Sequence, residues 1–409
     1  MAKIKRATIY KIYNGDGWPS LGLKLWLSGD KKVFASAVLA DDDFSRKDLA
    51  EIFELALKKF EKTVKPFLAE LDLDESASTS TDEWLEGWQT DSEALQPLSF
   101  IVSLAVNRAV AMTVGQELYQ QINLAYGFRE DLYDLPTPIF NMFNGGRHAD
   151  TNLDFEEFLL IPLTKNQTSL AQKVDSATQV FHSLADKLKQ AGFDTDLGSF
   201  GGYAPDMTSS LEAMDLIMSA CQEAGFKWGD DFALGVDIGA SYLSSGRGNY
   251  LFKLDHSRLQ SANLVGLYEE WQARYELVYL EDPLAGSDIS GWRRLTNGDN
   301  QKLILAGDEF FNNDQNKFRQ NLKSRLANTI VIKPSKLATL SEACQLIKLA
   351  QEHNYQVVLS QGDQETNDSF LADLAVASNV EYFKAGSLAR GERLAKLNRL
   401  IEIEQDLVN

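Results

Sequence analysis

Four polar residues stand at the ends of successive apolar runs in the second half of the chain. Asp237 ends ALGVD, Glu281 ends LVYLE and Asp308 ends LILAGD, while Lys333 takes the same place in the next run, TIVIK. Three carboxylates that meet at one place repel one another, and hard divalent cations such as Mg²⁺ prefer oxygen ligands from separate elements. These residues therefore predict a magnesium site formed by the three carboxylates.

Lys333 beside such a site is a candidate general base. Burial and cationic neighbours lower the pKa of a lysine, which can then remove a proton alpha to a bound carboxylate. The cation would stabilise the second negative charge that develops as the proton leaves. The simpler alternative is that each carboxylate only caps the helix after its strand. That alternative is weaker for three carboxylates in succession that are followed by a lysine.

The apolar runs alternate with helical patterns from about residue 135 onwards. Their ends are spaced by roughly 25 to 45 residues, the length of one strand–helix unit. Continuous apolar strands that alternate with helices indicate a parallel sheet covered on both faces, and five or more such units favour a closed barrel. We therefore predict an α/β fold with a TIM-type (β/α) barrel over residues 131–409, whose carboxyl strand ends converge at the active-site face.

The first part of the chain has a different organisation. Apolar and polar residues alternate over 7–13, 21–27 and 33–39, as in half-buried strands, and a helical pattern follows them. Strands followed by helices indicate a smaller α+β domain, which we assign to residues 1–130. The acidic, Ser- and Thr-rich segment 72–93 is consistent with a loop, although Trp84 and Trp88 indicate that part of it packs.

Composition limits the partners of the chain. The 409 residues carry a net charge of −19, a sign that repels phosphate backbones and anionic lipid, so we expect no nucleic-acid and no membrane partner. The most apolar window, 100–114, is expected to be too short to span a bilayer. Two cysteines and a start with no apolar signal-like stretch lead us to expect a cytoplasmic protein.

Several motifs, in order along the chain, resemble those of the enolase family. They are PIFNMFNGGRHAD at 138–150, LDFEEFLLIP at 153–162, GGYAP at 201–205, LEDP at 280–283, AGDE at 306–309, KAGS at 384–387 and RGERLAKLNRLIEIEQ at 390–405. The resemblance runs nearly from end to end and is weakest in residues 14–95. It implies a lyase of the 2-phosphoglycerate/phosphoenolpyruvate type (phosphopyruvate hydratase) with Mg²⁺ as cofactor.

The resemblance also implies roles for single residues. The first Mg²⁺ would be held by Asp237, Glu281 and Asp308. Lys333 would take the C2 proton and Lys384 would help to hold the substrate carboxylate, while His148 and Glu157 match other residues of the pocket. A small carboxylate ligand and a homo-oligomer, a dimer or larger, formed through the small domain are expected by the same resemblance.

Other family positions carry different residues here. The Asp-Glu pair before Gly-Gly-Tyr, whose glutamate helps to protonate the leaving hydroxyl, is replaced by Ser199 and Phe200. In the family motif Ser-His-Arg-Ser-Gly-Glu-Thr, the substrate-binding histidine has become Gln361. The phosphate-binding arginine and serine have become Gly362 and Asp363. The lost residues serve substrate and phosphate binding and departure of the hydroxyl group.

Two further departures affect the second metal. The mobile serine loop of the family, which binds a second Mg²⁺ and closes the site, is replaced by LADDDF at 39–44. Its glycines are missing, so we expect this segment not to close over a substrate. In the family glutamine–glutamate pair, the glutamine is Glu156 here.

Three functions are consistent with this pattern. The leading hypothesis is an enolase-like protein that keeps the first Mg²⁺ site and the lysine base but is inactive or very weak on 2-phosphoglycerate; an active enolase paralogue would then be a possible partner. The second is an enzyme of the superfamily that removes a proton alpha to the carboxylate of a different acid. The third is a genuine glycolytic enolase whose missing groups are supplied by other residues. Arg147 and Lys336 are the nearby cations that would replace the lost arginine.

Overall fold

A computed structural model describes residues 2–39, 45–87, 93–129, 133–163, 169–254, 256–297 and 303–408. The segment expected to replace the mobile loop falls mostly on 40–44, outside these residues. The proposed domain boundary, between 130 and 131, also lies outside them.

A four-stranded antiparallel sheet forms the first part of the chain, in the order β3-β2-β1-β4. Its strands are β1 (Ala2–Tyr13), β2 (Pro19–Leu27), β3 (Lys32–Val38) and β4 (Asp72–Leu73). The alternation in the sequence places one face of the sheet in the core, with Leu21, Leu23 and Leu25 fully buried on β2. The three strands predicted from alternation are thereby confirmed.

The described residues of this part of the chain also contain five helices. They are α1 (Arg46–Lys59), which continues through a π-helical turn (Phe60–Val64) into α2 (Lys65–Glu70), then α3 (Ala77–Glu86), α4 (Gln96–Val114) and α5 (Leu118–Ala125). Trp88 lies outside the described residues, and the packing expected of Trp84 is confirmed, but a loop is wrong for α3. This helix is held by packing, because Thr81 and Asp82 are buried and Trp84 stacks on Phe67 with ring centroids 3.8 Å apart.

Helix α4 is longer than its most apolar window suggested. By length and composition it could cross a membrane, since an 18-residue window of its 19 residues has a mean hydropathy of 1.5, and it is the one such helix among the described residues. However, 72% of that stretch is buried inside the protein. The helix therefore packs as the core helix of the small domain, against β2 and β3.

Eight strands close into a barrel, in the order β11-β12-β13-β14-β15-β5-β6-β7. They are β5 (Thr137–Asn144), β6 (Glu157–Pro162), β7 (Phe232–Asp237), β11 (Leu277–Glu281), β12 (Ile304–Gly307), β13 (Thr329–Ile332), β14 (Gln356–Ser360) and β15 (Tyr382–Lys384). The predicted TIM-type barrel is therefore present after a smaller α+β domain. Its interior is filled by seven residues: Ile139, Leu159, Ile161, Tyr279, Ala306, Val331 and Val358.

One strand departs from the expected all-parallel arrangement. Strand β6 runs antiparallel to both β5 and β7. The connection from β5 to β6 contains no helix to carry the chain back, so the strand returns in the opposite direction. As a result Glu157, the first residue of β6, lies in one row with Asp237 and Glu281, which end β7 and β11.

Helices surround the barrel and a small three-stranded sheet stands beside it. The helices are α6 (Leu170–Ala191), α7 (Ser210–Glu223), α8 (Ala240–Leu243), α9 (Ser261–Tyr275), α10 (Ile289–Asn297), α11 (Gln315–Asn321), α12 (Leu340–Glu352), α13 (Phe370–Ser378) and α14 (Gly391–Val408). The small sheet consists of β8 (Ser244–Gly246), β9 (Asn249–Leu251) and β10 (Arg258–Gln260).

Candidate active site

A buried lysine lies among three carboxylates at the carboxyl end of the barrel. Lys384 Nζ is 2.9 Å from Glu157 Oε1, 2.9 Å from Asp237 Oδ2 and 2.6 Å from Glu281 Oε2. The hydroxyl of Tyr279 also donates to Glu281 Oε2, at 2.6 Å. Four of the seven site residues predicted from the sequence are therefore in direct contact.

The charges of this cluster are strongly perturbed. Burial lowers the pKa of Lys384, but the charges of Asp237, Glu157 and Glu281 outweigh burial and raise it well above its usual range. Burial, followed by repulsion from Glu281, raises the pKa of Asp237 far above that of an ordinary aspartate. One lysine therefore does not fully neutralise the three carboxylates that contact it.

Lys333 belongs to a second ion pair. Its Nζ lies 2.6 Å from Asp308 Oδ2 and 3.6 Å from Asp363 Oδ1. Burial lowers the pKa of this lysine, but Asp308 and Asp363 outweigh burial and raise it well above its usual range. This direction is opposite to the one expected for a general base, because the neighbouring carboxylates of Asp308 and Asp363 favour the protonated lysine.

Asp282 fixes the position of Asp308, although the sequence argument gave it no role. Its carboxylate accepts hydrogen bonds from the backbone N–H groups of Asp308, Glu309 and Phe310, at 3.3, 2.7 and 3.3 Å. Asp282 also has a positive φ of 40°, which is unusual for a residue other than glycine. The sequence signal that could have identified it is a second acidic residue directly after Glu281.

His148 lies in a separate cluster at the barrel mouth. Its Nε2 is 3.1 Å from Glu156 Oε2, and the other oxygen of Glu156 is 3.2 Å from Arg147 Nε. Arg147 also lies 3.7 Å from Glu309 Oε1 and stacks over the Tyr242 ring. Although burial opposes it, the hydrogen bond and charge of His148 lower the pKa of Glu156 to about 2.

The residue that replaces the expected acid is part of the packed core. Phe200 is 3% exposed, and its ring centroid lies 4.1 Å from that of His148. The guanidinium of Arg393 lies 4.9 Å from the centre of the same ring. Arg393 donates its hydrogen bonds to the backbone carbonyls of Ser199, Gly362 and Asp363.

Gln361 follows strand β14 directly and is 2% exposed. Its backbone N–H donates to the carbonyl of Lys384, at 2.9 Å. Both polar atoms of its side-chain amide are buried without a hydrogen-bond partner. Buried amides are normally hydrogen-bonded, so this side chain is an exception.

The predicted metal ligands are divided between the two lysines. Lys384 contacts Asp237 and Glu281, whereas Lys333 contacts Asp308, and the described residues contain no ready group of three His, Cys, Asp or Glu residues for a metal ion. The donor chemistry nevertheless fits Mg²⁺. All three side chains offer oxygen, and the buried Oε1 atom of Glu281 has no hydrogen-bond partner.

Comparison with known proteins gives one family. The family described as "Enolase, C-terminal TIM barrel domain" matches residues 132–409. The chain is 38% identical to the enolase of Ehrlichia ruminantium (strain Welgevonden) over 304 residues, which cover 74% of this chain and 70% of the relative. It is 32% identical to the enolase of Anaplasma marginale over 420 residues, covering 100% of this chain and 95% of the relative.

The matched region contains all the residues discussed at the barrel mouth, and the second alignment extends through the small domain. Fold, strand-end residues and sequence similarity agree, and the chain belongs to the enolase family.

Proposed function

We propose that this family member keeps the half of the site that binds a carboxylate and removes a proton, and is inactive or very weak on 2-phosphoglycerate. The observation that carries the proposal is the carboxylate of Asp363, 3.6 Å from Lys333 Nζ. In the motif resemblance this position belongs to a phosphate-binding serine, next to an arginine that is Gly362 here. A phosphate at this place would meet a negative charge in place of an arginine fork.

The replacement of the acid supports the same proposal. A phenyl ring carries no proton that it could give to a leaving hydroxyl. Phe200 is held between His148 and Arg393, so the ring is a packed wall of the site. Departure of a hydroxyl group would therefore lack the general acid that the family motif supplies.

The residues that remain suit the first half of the reaction. Asp237, Glu281 and Asp308 would hold Mg²⁺, which when bound supplies positive charge for the carboxylate as its alpha proton leaves. Lys384 would orient the substrate carboxylate from the centre of its cluster. Lys333 would accept the proton at C2, once the negative charge that now keeps it protonated is offset.

Formation of phosphoenolpyruvate, followed by ultraviolet absorbance, tests this proposal. Loss of a general acid typically costs roughly 10²- to 10⁴-fold, and loss of a charged hydrogen bond to phosphate roughly 10- to 150-fold. Because such factors are not additive, we expect kcat/KM to be about 10⁴-fold below that of an ordinary enolase. A wild-type rate within about tenfold of a typical enzyme kcat would refute the proposal.

Calorimetry with Mg²⁺ tests the metal site separately. We expect one divalent cation to bind to the wild type and binding to be lost in Asp308→Ala. The matched control is Asp186→Ala, which removes an exposed aspartate of α6 and should leave binding unchanged. Equal Mg²⁺ binding by Asp308→Ala and wild type would exclude this site.

A second candidate function is proton removal from a different, unphosphorylated acid. The buried amide of Gln361 favours it, because this side chain stands where the family motif has a substrate-binding histidine and has no protein partner. Exchange of the alpha proton of such acids in D₂O, followed by NMR, would detect this activity without any leaving group. Loss of the exchange in Lys333→Met would attribute it to this site.

We also propose that the chain forms a homodimer through the small sheet. Three aromatic side chains on this part of the surface, Tyr10, Tyr13 and Phe34, are 36%, 66% and 44% exposed. Large aromatic residues are enriched in the centres of protein interfaces. Analytical ultracentrifugation should show a dimer for the wild type and a monomer for Tyr13→Asp; a monomeric wild type would refute the proposal.

A further inference from the structure

We propose that Gln361 selects the ligand of this site, by binding a neutral hydroxyl or carboxamide group on a small unphosphorylated carboxylic acid. This inference rests on the proposed function, since it takes the barrel mouth to be a carboxylate-binding site. It adds the chemical class of the ligand and the residue that recognises it.

The side-chain amide of Gln361 is unsatisfied within the protein. The side chain is 2% exposed, so bulk water does not reach it freely. Neither its nitrogen nor its oxygen has a hydrogen-bond partner. Leaving a buried donor and a buried acceptor unsatisfied is costly, whereas a bound group that satisfies both removes that cost.

The place of Gln361 in the barrel also suits a contact with the ligand. Strand β14 lies between β13 and β15, and its last residue, Ser360, pairs with Lys384. Gln361 is therefore one residue further towards the mouth than this pair. Lys333 follows the neighbouring strand β13. A ligand whose carboxylate reaches Lys384 and whose alpha carbon faces Lys333 would place its next substituent towards the strand end that carries this amide.

The residues that follow Gln361 also disfavour an anionic substituent. On the next residues of the chain stand Gly362, which has no side chain, and Asp363, which is negative. Arg393 is nearby, but it donates to the backbone carbonyls of Ser199, Gly362 and Asp363. A phosphate would therefore be repelled here, while a neutral group would not be.

The geometry also indicates a group that both donates and accepts. An amide offers a donor nitrogen and an acceptor oxygen, and a hydroxyl or a carboxamide can satisfy both. A methyl group at the same place would satisfy neither, and sites built around such a polar group reject the analogue that lacks it. Bound water is the competing occupant, and it would give no preference between ligands.

A matched pair of ligands separates these occupants. Glycerate and lactate are both 2-hydroxy acids, and only glycerate has a hydroxyl on the next carbon. Calorimetry in the presence of Mg²⁺ should show wild type binding glycerate about tenfold more tightly than lactate. In Gln361→Leu, which keeps a similar volume without the amide, the preference should fall to within about twofold.

Two further variants complete the test. Gln351→Leu makes the same substitution at the end of α12, where the amide donates to the carbonyl of Ser378, and should keep the wild-type preference. If Gln361→Leu does not fold, Gln361→Glu replaces it and should weaken glycerate binding, because it removes the donor.

The outcomes are distinct. Wild type that binds glycerate no more tightly than lactate, or that binds neither, overturns the inference, as does a preference that survives in Gln361→Leu. Efficient turnover of 2-phosphoglycerate would instead refute the proposed function, and it is measured independently of the glycerate-to-lactate ratio.

Discussion

At the scale of single residues, Lys384 holds together a group of charges that would otherwise separate. Its ammonium group contacts Glu157, Asp237 and Glu281, and all four side chains are almost completely buried. Removing one partner from a buried ion pair leaves uncompensated charge, which typically costs about 3–5 kcal/mol. The lysine is therefore as important for the stability of the barrel mouth as for its chemistry.

Lys384→Met should lower the free energy of unfolding by about 3–5 kcal/mol when measured in denaturant without divalent cations. The control is Lys189→Met, which removes an exposed lysine of α6 and should change stability by less than about 0.5 kcal/mol. Equal stability of Lys384→Met and wild type would show that the carboxylates are neutralised by protonation instead.

Restoring a single family residue should not restore activity on 2-phosphoglycerate. In Phe200→Glu the carboxyl group returns, but the phosphate would still face Asp363 and lack the arginine. We expect turnover of Phe200→Glu to stay at background, and recovery to need Gln361→His and Gly362→Arg as well. A large gain in phosphoenolpyruvate formation by Phe200→Glu alone would contradict this prediction.

At the scale of elements, one buried ion pair connects helix α4 to the segment that follows Gln361. Arg108 donates to both oxygens of Asp368, at 2.8 and 2.6 Å, and also to the carbonyl of Phe34 on β3. Asp368 further accepts from the backbone N–H of Ser36, at 2.9 Å. The small sheet, α4 and the segment after β14 therefore share one set of hydrogen bonds.

Asp368→Ala should destabilise the protein by about 3–5 kcal/mol, because Arg108 would lose its buried partner. Glu61→Ala breaks an exposed pair with Lys65 on the small domain and should cost less than about 1 kcal/mol. Chemical denaturation of both variants measures the difference. Similar small losses in the two variants would show that the pair is not important for stability.

Elements that depend on local pattern could be predicted from the sequence, and those that depend on distant contacts could not. The strand ends at Asp237 and Glu281 were visible because buried strands form continuous apolar runs between helices. The direction of β6 was missed because it depends on a helix-free connection. Trp84 indicated that its segment packs, but not that the segment forms the helix α3, since this depends on a contact with the distant Phe67.

The same distinction applies to the site. The residue types at the strand ends indicated which side chains converge, but not which of them pair. The pairing of Lys384 with Glu157 requires the antiparallel direction of β6, which has no signal in the sequence. The raised pKa of Lys333 depends first on its contact with Asp308 and then on Asp363, which lies beyond the end of a different strand, β14.

At the scale of the whole molecule, the small domain and the barrel meet around a buried carboxylate. Asp82 of α3 is fully buried, and its Oδ2 accepts from the hydroxyl of Tyr126 at 2.7 Å. The same oxygen accepts from the backbone N–H of Ser341, on α12 of the barrel, at 2.9 Å. The carboxylate of Asp82 thus connects α3 and the end of α5, both in the small domain, with α12 of the barrel.

This contact should make stability depend on pH. Burial raises the pKa of Asp82 from 3.8 to about 6, despite the hydrogen bonds that it accepts. The folded protein therefore binds this proton more tightly than the unfolded chain, and the carboxyl group contributes more stability as pH falls through about 6 towards 4. Between pH 7.5 and pH 5 its contribution should increase by about 1 kcal/mol.

Asp82→Asn cannot titrate and keeps an oxygen that can accept both hydrogen bonds. Denaturation of both proteins at the two pH values isolates the contribution of Asp82, because all other titrating groups are shared. On acidification, the free energy of unfolding of the wild type should increase by about 1 kcal/mol more than that of the variant. An equal change in both proteins would show that Asp82 does not titrate in this range.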